Sequence, residues 1–249
     1  LPEVVLTGVN LGAYDGSSAN DEHVEIDELL GIILRETSIP QIRLSSIEPM
    51  DVSDRLIDRI AESRGRIAPF LHLPVQSGCT ATLERMGRPY RAEEFEDLCD
   101  RIRRKVPAVA LSCDIIVGFP NETEEQFQNT LSLVDECRFD NAFTFIYSPR
   151  EGTPAASMAD NVELAVKQRR LQELNERWNL YAREKNEEYL GSVVKVLVDG
   201  ASKKNPEVFS GYTETNKLVN FRRTTAQSGD IVSVKITACK TFSLDGEQI

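Results

Sequence analysis

Hydrophobic positions along the first 150 residues follow two different periods. Five short runs rich in β-branched and apolar residues predict strands, because such residues suit a buried pleated surface. The predicted strands span residues 4–8, 42–46, 70–75, 108–117 and 142–148. Between them, apolar residues recur at the i, i+3, i+4 and i+7 spacing of a helix with one buried face. Strands that alternate with helices favour a parallel sheet, either open or barrel-shaped.

Helix-start signals support this alternation. Ser53 is a predicted N-cap, and Thr123 with Gln126 three residues later predicts a capping box. The apolar faces of the first and third helices are Ile26, Leu29, Leu30 and Ile33, and Phe95, Leu98, Cys99 and Ile102. The pattern therefore predicts four helices between and after the five strands.

The pattern changes after residue 162. Residues 163–190 predict one long helix with a narrow apolar seam, which indicates packing rather than ligand binding. Short alternating strands follow at residues 193–198, 208–212, 218–221 and 231–237. Predicted turns punctuate them at Asp199-Gly200, Asn205-Pro206, Ser228-Gly229 and Asp245-Gly246. We predict three units: an α/β domain at 1–162, a connecting helix at 163–190 and a small antiparallel β-barrel at 191–249.

Composition narrows the class of protein. The 249 residues are 41% hydrophobic, and no apolar run approaches the roughly 18 residues that a membrane span needs. We expect a soluble chain with no membrane partner. The sequence opens as if in the middle of a fold, so we expect it to be the C-terminal part of a longer protein.

Charge and cysteine spacing restrict the partners. The net charge is −11, but residues 192–249 carry 8 Lys/Arg and 6 Asp/Glu, so only the C-terminal region is basic. The net negative charge of the rest of the chain predicts that it does not bind nucleic acid through overall charge alone. The five cysteines, Cys79, Cys99, Cys113, Cys137 and Cys239, lack the close spacing of a metal or cluster site. An odd, scattered set suits a reducing, cytoplasmic location.

The most informative segment lies between Cys113 and Phe127, where a buried strand breaks at Gly118 and Pro120 into a capped acidic helix. Parallel-sheet enzymes place their ligands at such strand ends. Polar and turn residues follow each predicted strand, at 7–10, 45–49, 72–78, 118–122 and 147–154. Five such loops in succession predict a pocket. Taken singly, His72 is interpreted as a core histidine, and Glu122 as either a ligand or a helix cap.

Four segments together resemble the radical SAM methylthiotransferases. They are LHLPVQSG at 71–78, DIIVGFPNET at 114–123, and the segments 143–154 and 211–221. The resemblance covers essentially the whole chain. It implies a partial (βα) barrel that binds S-adenosylmethionine and a [4Fe–4S] cluster, followed by a small RNA-binding β-barrel, the TRAM domain.

The polar residues at the strand ends and the basic and aromatic residues of the C-terminal region give the candidate site residues, and the resemblance places Gly118–Glu122 beside the adenosyl group. The cofactor-binding candidates are Asn10, Ser46, Glu48, Gln76, Asp114, Gly118, Glu122 and Tyr147. The candidates for contact with substrate or RNA are Arg150, Tyr212, Lys217, Arg222 and Arg223. The implied partners are a tRNA anticodon loop, an electron donor and a sulfur source. The reaction that the resemblance implies is methylthiolation at C2 of an N6-modified adenosine beside the anticodon.

Two departures limit this resemblance. Nothing in the chain corresponds to the family's Cys-x-x-x-Cys-x-x-Cys cluster motif, so we expect no metal site and no activity from this chain alone. Asn121 stands where the family usually has glycine. Some segments resemble enzymes acting on isopentenylated adenosine, and others those acting on threonylcarbamoyl-adenosine.

Rival interpretations remain at this stage. A third branch of the family modifies an aspartate of a ribosomal protein, and the chain could also be a non-catalytic tRNA-binding module. An aldolase-type barrel would need a lysine at a strand end, and the sequence shows none there.

Overall fold

A computed structural model describes residues 1–17, 23–202, 205, 207–222 and 225–249, which form two domains joined by a long helix. The strands are β1 (Glu3–Leu6), β2 (Gly16–Ser17), β3 (His23–Val24), β4 (Gln41–Leu44), β5 (Phe70–His72), β6 (Ala110–Val117), β7 (Asn141–Ile146), β8 (Val193–Ala201), β9 (Val208–Tyr212), β10 (Leu218–Arg222), β11 (Ile231–Cys239) and β12 (Leu244–Gln248). The helices are α1 (Ile26–Glu36), α2 (Asp54–Glu62), α3 (Thr80–Arg85), α4 (Ala92–Lys105), α5 (Glu124–Cys137) and α6 (Leu164–Glu187).

The first domain is built on parallel strands in sequence order. β1 pairs with β4, and β6 pairs with β5 on one side and β7 on the other, all in parallel. Backbone bonds join the two groups: Ile42 N donates to Arg66 O at 2.7 Å, and Ile47 N donates to His72 O at 3.1 Å. The predicted parallel α/β arrangement is therefore confirmed, with β1, β4, β5, β6 and β7 forming the partial barrel.

Helices cover one face of this sheet. Leu111, Cys113, Ile115 and Val117 of β6 point into a core shared with apolar residues of α2, α4 and α5. The predicted caps are present: Ser53 Oγ accepts from Leu56 N at 3.1 Å, and Thr123 Oγ1 accepts from Gln126 N at 3.2 Å. Helix α3 is an element that the apolar pattern did not predict.

The opposite face of the sheet carries exposed side chains. Successive strand residues point to opposite faces, so Asp114 of β6 and Phe143 and Phe145 of β7 face away from the helices. Both phenylalanines are 51% exposed. Large exposed aromatic rings on the inner face of a sheet indicate a surface that contacts something else.

The second domain is a closed barrel with strand order β10-β12-β11-β8-β9. Its neighbours are antiparallel except for β10 and β12, which are parallel. The predicted small β-barrel is confirmed, and the predicted turn at Ser228-Gly229 is present.

Two predicted turns are wrong. Asp199-Gly200 lies within β8, at a register shift against β9 where Gly200 has a φ of 138°. Asp245-Gly246 lies within β12, the strand that closes the barrel. A Cβ on Gly246 would lie 2.5 Å from Lys235 O, so this glycine permits close strand approach rather than a turn. Pro206 of the remaining predicted turn lies outside the described residues.

The loop between β9 and β10, residues 213–217, packs against the first domain. Arg43 donates to Thr213 O and to Glu214 O, both at 3.2 Å, and also pairs with Glu3 at 3.0 Å. Lys217 Nζ lies 2.9 Å from Asp140 Oδ1, with side chains only 7% and 9% exposed. These contacts dock the barrel onto the amino-terminal side of the parallel strands. Within the described ranges, no helix is both long and apolar enough to cross a membrane.

Candidate ligand site at the strand ends

The backbone at the end of β5 brings two predicted residues together. Gln76 N donates to Asp114 O at 2.8 Å, and Ile116 N donates to Gln76 O at 2.9 Å. Gln76 has a φ of 70°, in the left-handed region where a residue other than glycine is uncommon. Strained backbone of this kind concentrates at functional sites, so Gln76 stays a candidate site residue, joined to Asp114 by a backbone hydrogen bond.

His72, which the sequence analysis interpreted as a core histidine, lies beside the candidate residue Asp114. Its Nε2 lies 3.3 Å from Asp114 Oδ2, its Nδ1 lies 3.0 Å from Ser112 Oγ, and its ring meets Phe143 edge-on at 5.7 Å. The parallel register sets His72 opposite Ser112 and Phe143 opposite Asp114. These neighbours are set by the strand register. The sequence could have indicated them only through the alternation of strand residues, which puts His72, Asp114 and Phe143 on the same face of the sheet, and no local motif encodes them.

Glu122 supports the loop after β6 from inside. Its Oε2 accepts from Gly118 N at 2.7 Å and from Arg170 of α6 at 2.8 Å. Burial raises the pKa of the Glu122 carboxyl, although the Gly118 N–H and the Arg170 charge act in the opposite direction. The structure therefore places Glu122 beneath the loop, where its contacts favour positioning Gly118 over direct contact with a ligand.

Gly118 is held by helix α6 as well. It has a φ of +71°, and a Cβ there would lie 2.4 Å from Lys167 Cγ. Lys167 is buried and pairs with both carboxylate oxygens of Asp160, at 2.6 and 2.7 Å. Glycine is thus required by both backbone conformation and close packing.

Gly118→Ala is expected to destabilise the first domain more than Gly87→Ala. Gly87 has a similar φ of +72°, but a Cβ added to it would have no atom within 4 Å. Both variants should cost about 1–2 kcal/mol for the left-handed backbone, and Gly118→Ala about 1–3 kcal/mol more for overpacking. Chemical denaturation of the two variants measures the difference. Equal losses would contradict the packing role of Lys167.

Asn121 stands where the resemblance predicts a glycine, and it has the left-handed backbone conformation that favours glycine. Its φ is 63°, and asparagine tolerates this region better than most residues. Its N–H donates to Asn161 Oδ1 and its Oδ1 accepts from Asn161 Nδ2, each at 2.9 Å. The substitution therefore leaves the backbone path of the loop available, with Asn161 as its partner.

The other strand-end candidates are less closely connected. Glu48 pairs with Arg88 at 2.9 Å, a cation that sequence reasoning missed. Tyr147 is buried, and its hydroxyl donates to Ala155 O at 2.9 Å. Asn10, Ser46 and Arg150 are exposed on the loops after β1, β4 and β7.

The RNA candidates of the second domain separate into three cases. Tyr212 is 40% exposed, and Arg222 is exposed at the end of β10. Lys217 is buried against Asp140, so it does not have the free, solvent-exposed ammonium group that a phosphate contact needs. Arg223 lies outside the described residues.

The resemblance implies two cofactors, S-adenosylmethionine and an iron–sulfur cluster, and the residues present suit them unequally. Ser45 Oγ, at the end of β4, is a buried hydroxyl without a hydrogen-bond partner in the described part of the chain. With Gln76, Asp114 and the Glu48–Arg88 pair it supplies donors and acceptors for the hydroxyl, amino and carboxylate groups of S-adenosylmethionine. These residues fit that cofactor.

The cysteines do not fit an iron–sulfur cluster. Cys79, Cys99, Cys113 and Cys137 are buried, and the described residues contain no group of side chains able to hold a metal. Burial raises the pKa of the Cys113 thiol, and a hydrogen bond with Cys99 together with burial raises that of Cys137. Cluster ligands are thiolates, so these thiols are poor candidates.

Comparisons with known proteins agree with this geometry. Residues 3–134 match the model of the radical SAM superfamily, and residues 187–249 match the TRAM domain. The tRNA-2-methylthio-N(6)-dimethylallyladenosine synthases of Bacillus cytotoxicus and Anoxybacillus flavithermus are both 49% identical over 99% of this chain. The chain spans about half the length of these curated relatives, 48% and 46% respectively.

One solved structure shares the fold. The coproporphyrinogen III oxidase of Escherichia coli, described as a radical SAM enzyme, superposes with a TM-score of 0.51 at 16% identity. The superposition covers 76% of this chain and 50% of the oxidase. The partial barrel, its strand-end loops and the closed C-terminal barrel thus agree with the sequence matches, and the chain belongs to the radical SAM superfamily, with a TRAM domain at its C-terminus.

Proposed function

We propose that this chain belongs to a tRNA methylthiotransferase. The complete protein would methylthiolate C2 of an adenosine that carries an N6 isopentenyl-type group beside the anticodon. The observation that carries the proposal is the combination, in one chain, of an open strand-end site with a TRAM domain docked against the same parallel barrel. The similarity to relatives named as tRNA-2-methylthio-N(6)-dimethylallyladenosine synthases supports this substrate.

The chain's own residues would bind and orient the reactants. Gln76, Asp114 and the loop at Gly118 would hold S-adenosylmethionine at the strand ends, while Phe143 and Phe145 would offer flat apolar surface to a nucleobase. When bound, S-adenosylmethionine supplies the methyl group and the radical that removes hydrogen from the acceptor carbon. The protein contributes binding, orientation and exclusion of water. The proposal also places the complete protein in the cytoplasm and gives it an external electron donor and a sulfur source.

The chain on its own is proposed to be inactive. Its buried, scattered cysteines do not provide converging thiolates, and iron–sulfur assembly needs such ligands. Anaerobic reconstitution with iron and sulfide, followed by iron counting and absorbance, should give no stoichiometric cluster. A stable cluster on the 249-residue chain would contradict this part of the proposal.

Binding measurements on the chain test the class of substrate. An anticodon stem–loop RNA should bind more tightly than a fully paired hairpin of equal length, because aromatic platforms need unstacked bases. The alternative, a ribosomal-protein substrate, predicts tighter binding to that protein than to RNA. Equal affinity for the stem–loop and the paired hairpin would contradict the proposal.

A further inference from the structure

A cavity of about 310 Å³ lies between the two domains. The first domain contributes Phe70 and Phe143, helix α6 contributes Asn186, and the second domain contributes Tyr212, Asn216 and Phe242. It is separate from the loops at the strand ends, but Phe143 also contacts His72, which pairs with Asp114. The cavity is therefore connected to Asp114, one of the cofactor-binding candidates, through Phe143 and His72.

Aromatic rings from both domains are exposed at this cavity. Phe143 is 51% exposed, Tyr212 40% and Phe242 65%, although Phe242 also packs against Trp178 at 5.8 Å. Exposed rings that line one cavity from two domains are not explained by the packing of either core. Flat π-surfaces of this kind stack on unpaired nucleobases.

The polar lining is uncharged apart from one neutralised pair. Asp140 and Lys217 both line the cavity, but they pair with each other at 2.9 Å. A phosphate in the cavity would therefore be repelled by the Asp140 carboxylate, and the Lys217 ammonium is already paired with that carboxylate. The lining suits a planar, uncharged group better than an anion.

Asn186 provides an independent observation. The residue is 3% exposed, and its Nδ2 donates to Lys240 O and Thr241 O at 2.8 and 3.0 Å. Its Oδ1 is buried and has no hydrogen-bond partner in the part of the chain that the structure describes. Leaving a buried acceptor unsatisfied costs about 1–3 kcal/mol, so the described groups of the protein do not fully satisfy the junction beside the cavity.

We propose that the interdomain cavity is a second nucleotide subsite. It holds one unpaired base of the RNA against the exposed rings of Phe143 and Tyr212, which line the cavity from the two domains. The subsite rests on the proposed function, since it holds a neighbour of the nucleoside presented at the strand ends. It also assigns a role to the domain junction: the two domains read adjacent nucleotides of one loop.

Fluorescence of 2-aminopurine placed in turn at each loop position of an anticodon stem–loop tests this subsite. One position should be quenched by stacking when the wild-type chain binds. Phe143→Ala and Tyr212→Ala should each abolish that quenching and weaken binding by about tenfold. Phe143→Tyr and Tyr212→Phe keep the rings and should keep the quenching. Leu180→Ala, at a comparably exposed residue of α6 outside the cavity, is the matched control.

The outcomes separate the subsite from the proposed function. Failure of the wild-type chain to bind the stem–loop would overturn the RNA substrate itself. Normal binding with unchanged quenching in both alanine variants would overturn the subsite alone. Thermal melting of each variant checks that the fold is retained, and loss of quenching counts only in variants that melt as the wild type does. If both alanine variants unfold, persistence of quenching in the ring-keeping pair supports the subsite, and its absence overturns it.

Discussion

Arg170→Ala is expected to lower the free energy of unfolding of the first domain by about 3–5 kcal/mol, because it strips a buried carboxylate of its cation. Arg170 is buried and lies 2.8 Å from Glu122, whose side chain is almost fully enclosed. A loss of this size corresponds to a fall of roughly 10 °C in Tm. Thermal and chemical denaturation measure it.

The loss should depend on pH with a defined sign. The Glu122 carboxyl already has a pKa raised above its ordinary value of 4.5 by burial, and removing Arg170 raises it further. An acid with a raised folded pKa binds more protons when folded, so stability falls as pH rises from about 4.5 through the folded pKa. Arg170→Ala should therefore recover stability on acidification towards that value, and Glu122→Gln in the same chain should remove this dependence.

Arg169 is the matched control for this variant. It is the adjacent residue of α6, but it is half exposed and pairs with Glu124 and Glu173 at the surface. Exposed ion pairs are screened by solvent and contribute little, so Arg169→Ala should change stability little and without the pH signature. Equal losses in the two variants would show that the Glu122–Arg170 pair does not support the Gly118 loop.

Lys217→Ala is expected to loosen the docking of the two domains, with a loss of about 3–5 kcal/mol from the uncompensated Asp140 carboxylate. The variant should melt in two separated transitions, because the loop at residues 213–217 loses its buried ion pair and is held by the remaining Arg43 hydrogen bonds. Scanning calorimetry detects the separation. A single transition at the wild-type temperature would contradict the structural role of Lys217.

The salt dependence of RNA binding distinguishes this role from a phosphate contact. Arg222 is exposed at the end of β10, and Arg222→Ala should reduce the slope of log affinity against log salt by about 1. Lys217→Ala should leave that slope unchanged even if affinity falls. A reduced slope for Lys217→Ala would indicate that its ammonium reaches RNA after all.

The sequence predicted the elements better than it predicted the contacts between them. Apolar periodicity was enough for β6, α5 and the long helix, and local chemistry was enough for the caps at Ser53 and Thr123. Two Asp-Gly dipeptides were wrongly predicted as turns. Gly200 lies at an irregularity in a strand, and Gly246 lies where two strands approach closely. A dipeptide does not distinguish a turn from a bulge, because both need the same backbone freedom.

The site could be predicted in outline but not in its partners. Strand ends were identified from polarity, whereas the His72–Asp114 pair depends on the register between β5 and β6. Lys217 shows the opposite error: a basic residue near aromatic ones suggested RNA contact, but the fold buries it against Asp140. Long-range ion pairs of this kind join residues far apart in sequence, and no local pattern encodes them.

The proposed reaction is tested most directly by mass spectrometry of nucleosides from tRNA treated with the complete, cluster-loaded protein. With S-adenosylmethionine, a reductant and a sulfur source, the N6-isopentenyl-type adenosine beside the anticodon should gain one methylthio group at C2. The Leu180→Ala variant of the complete protein should behave as the wild type does, and the Phe143→Ala variant should modify tRNA more slowly. Unmodified adenosine, together with a methylthio group on a ribosomal protein incubated in parallel, would contradict the account.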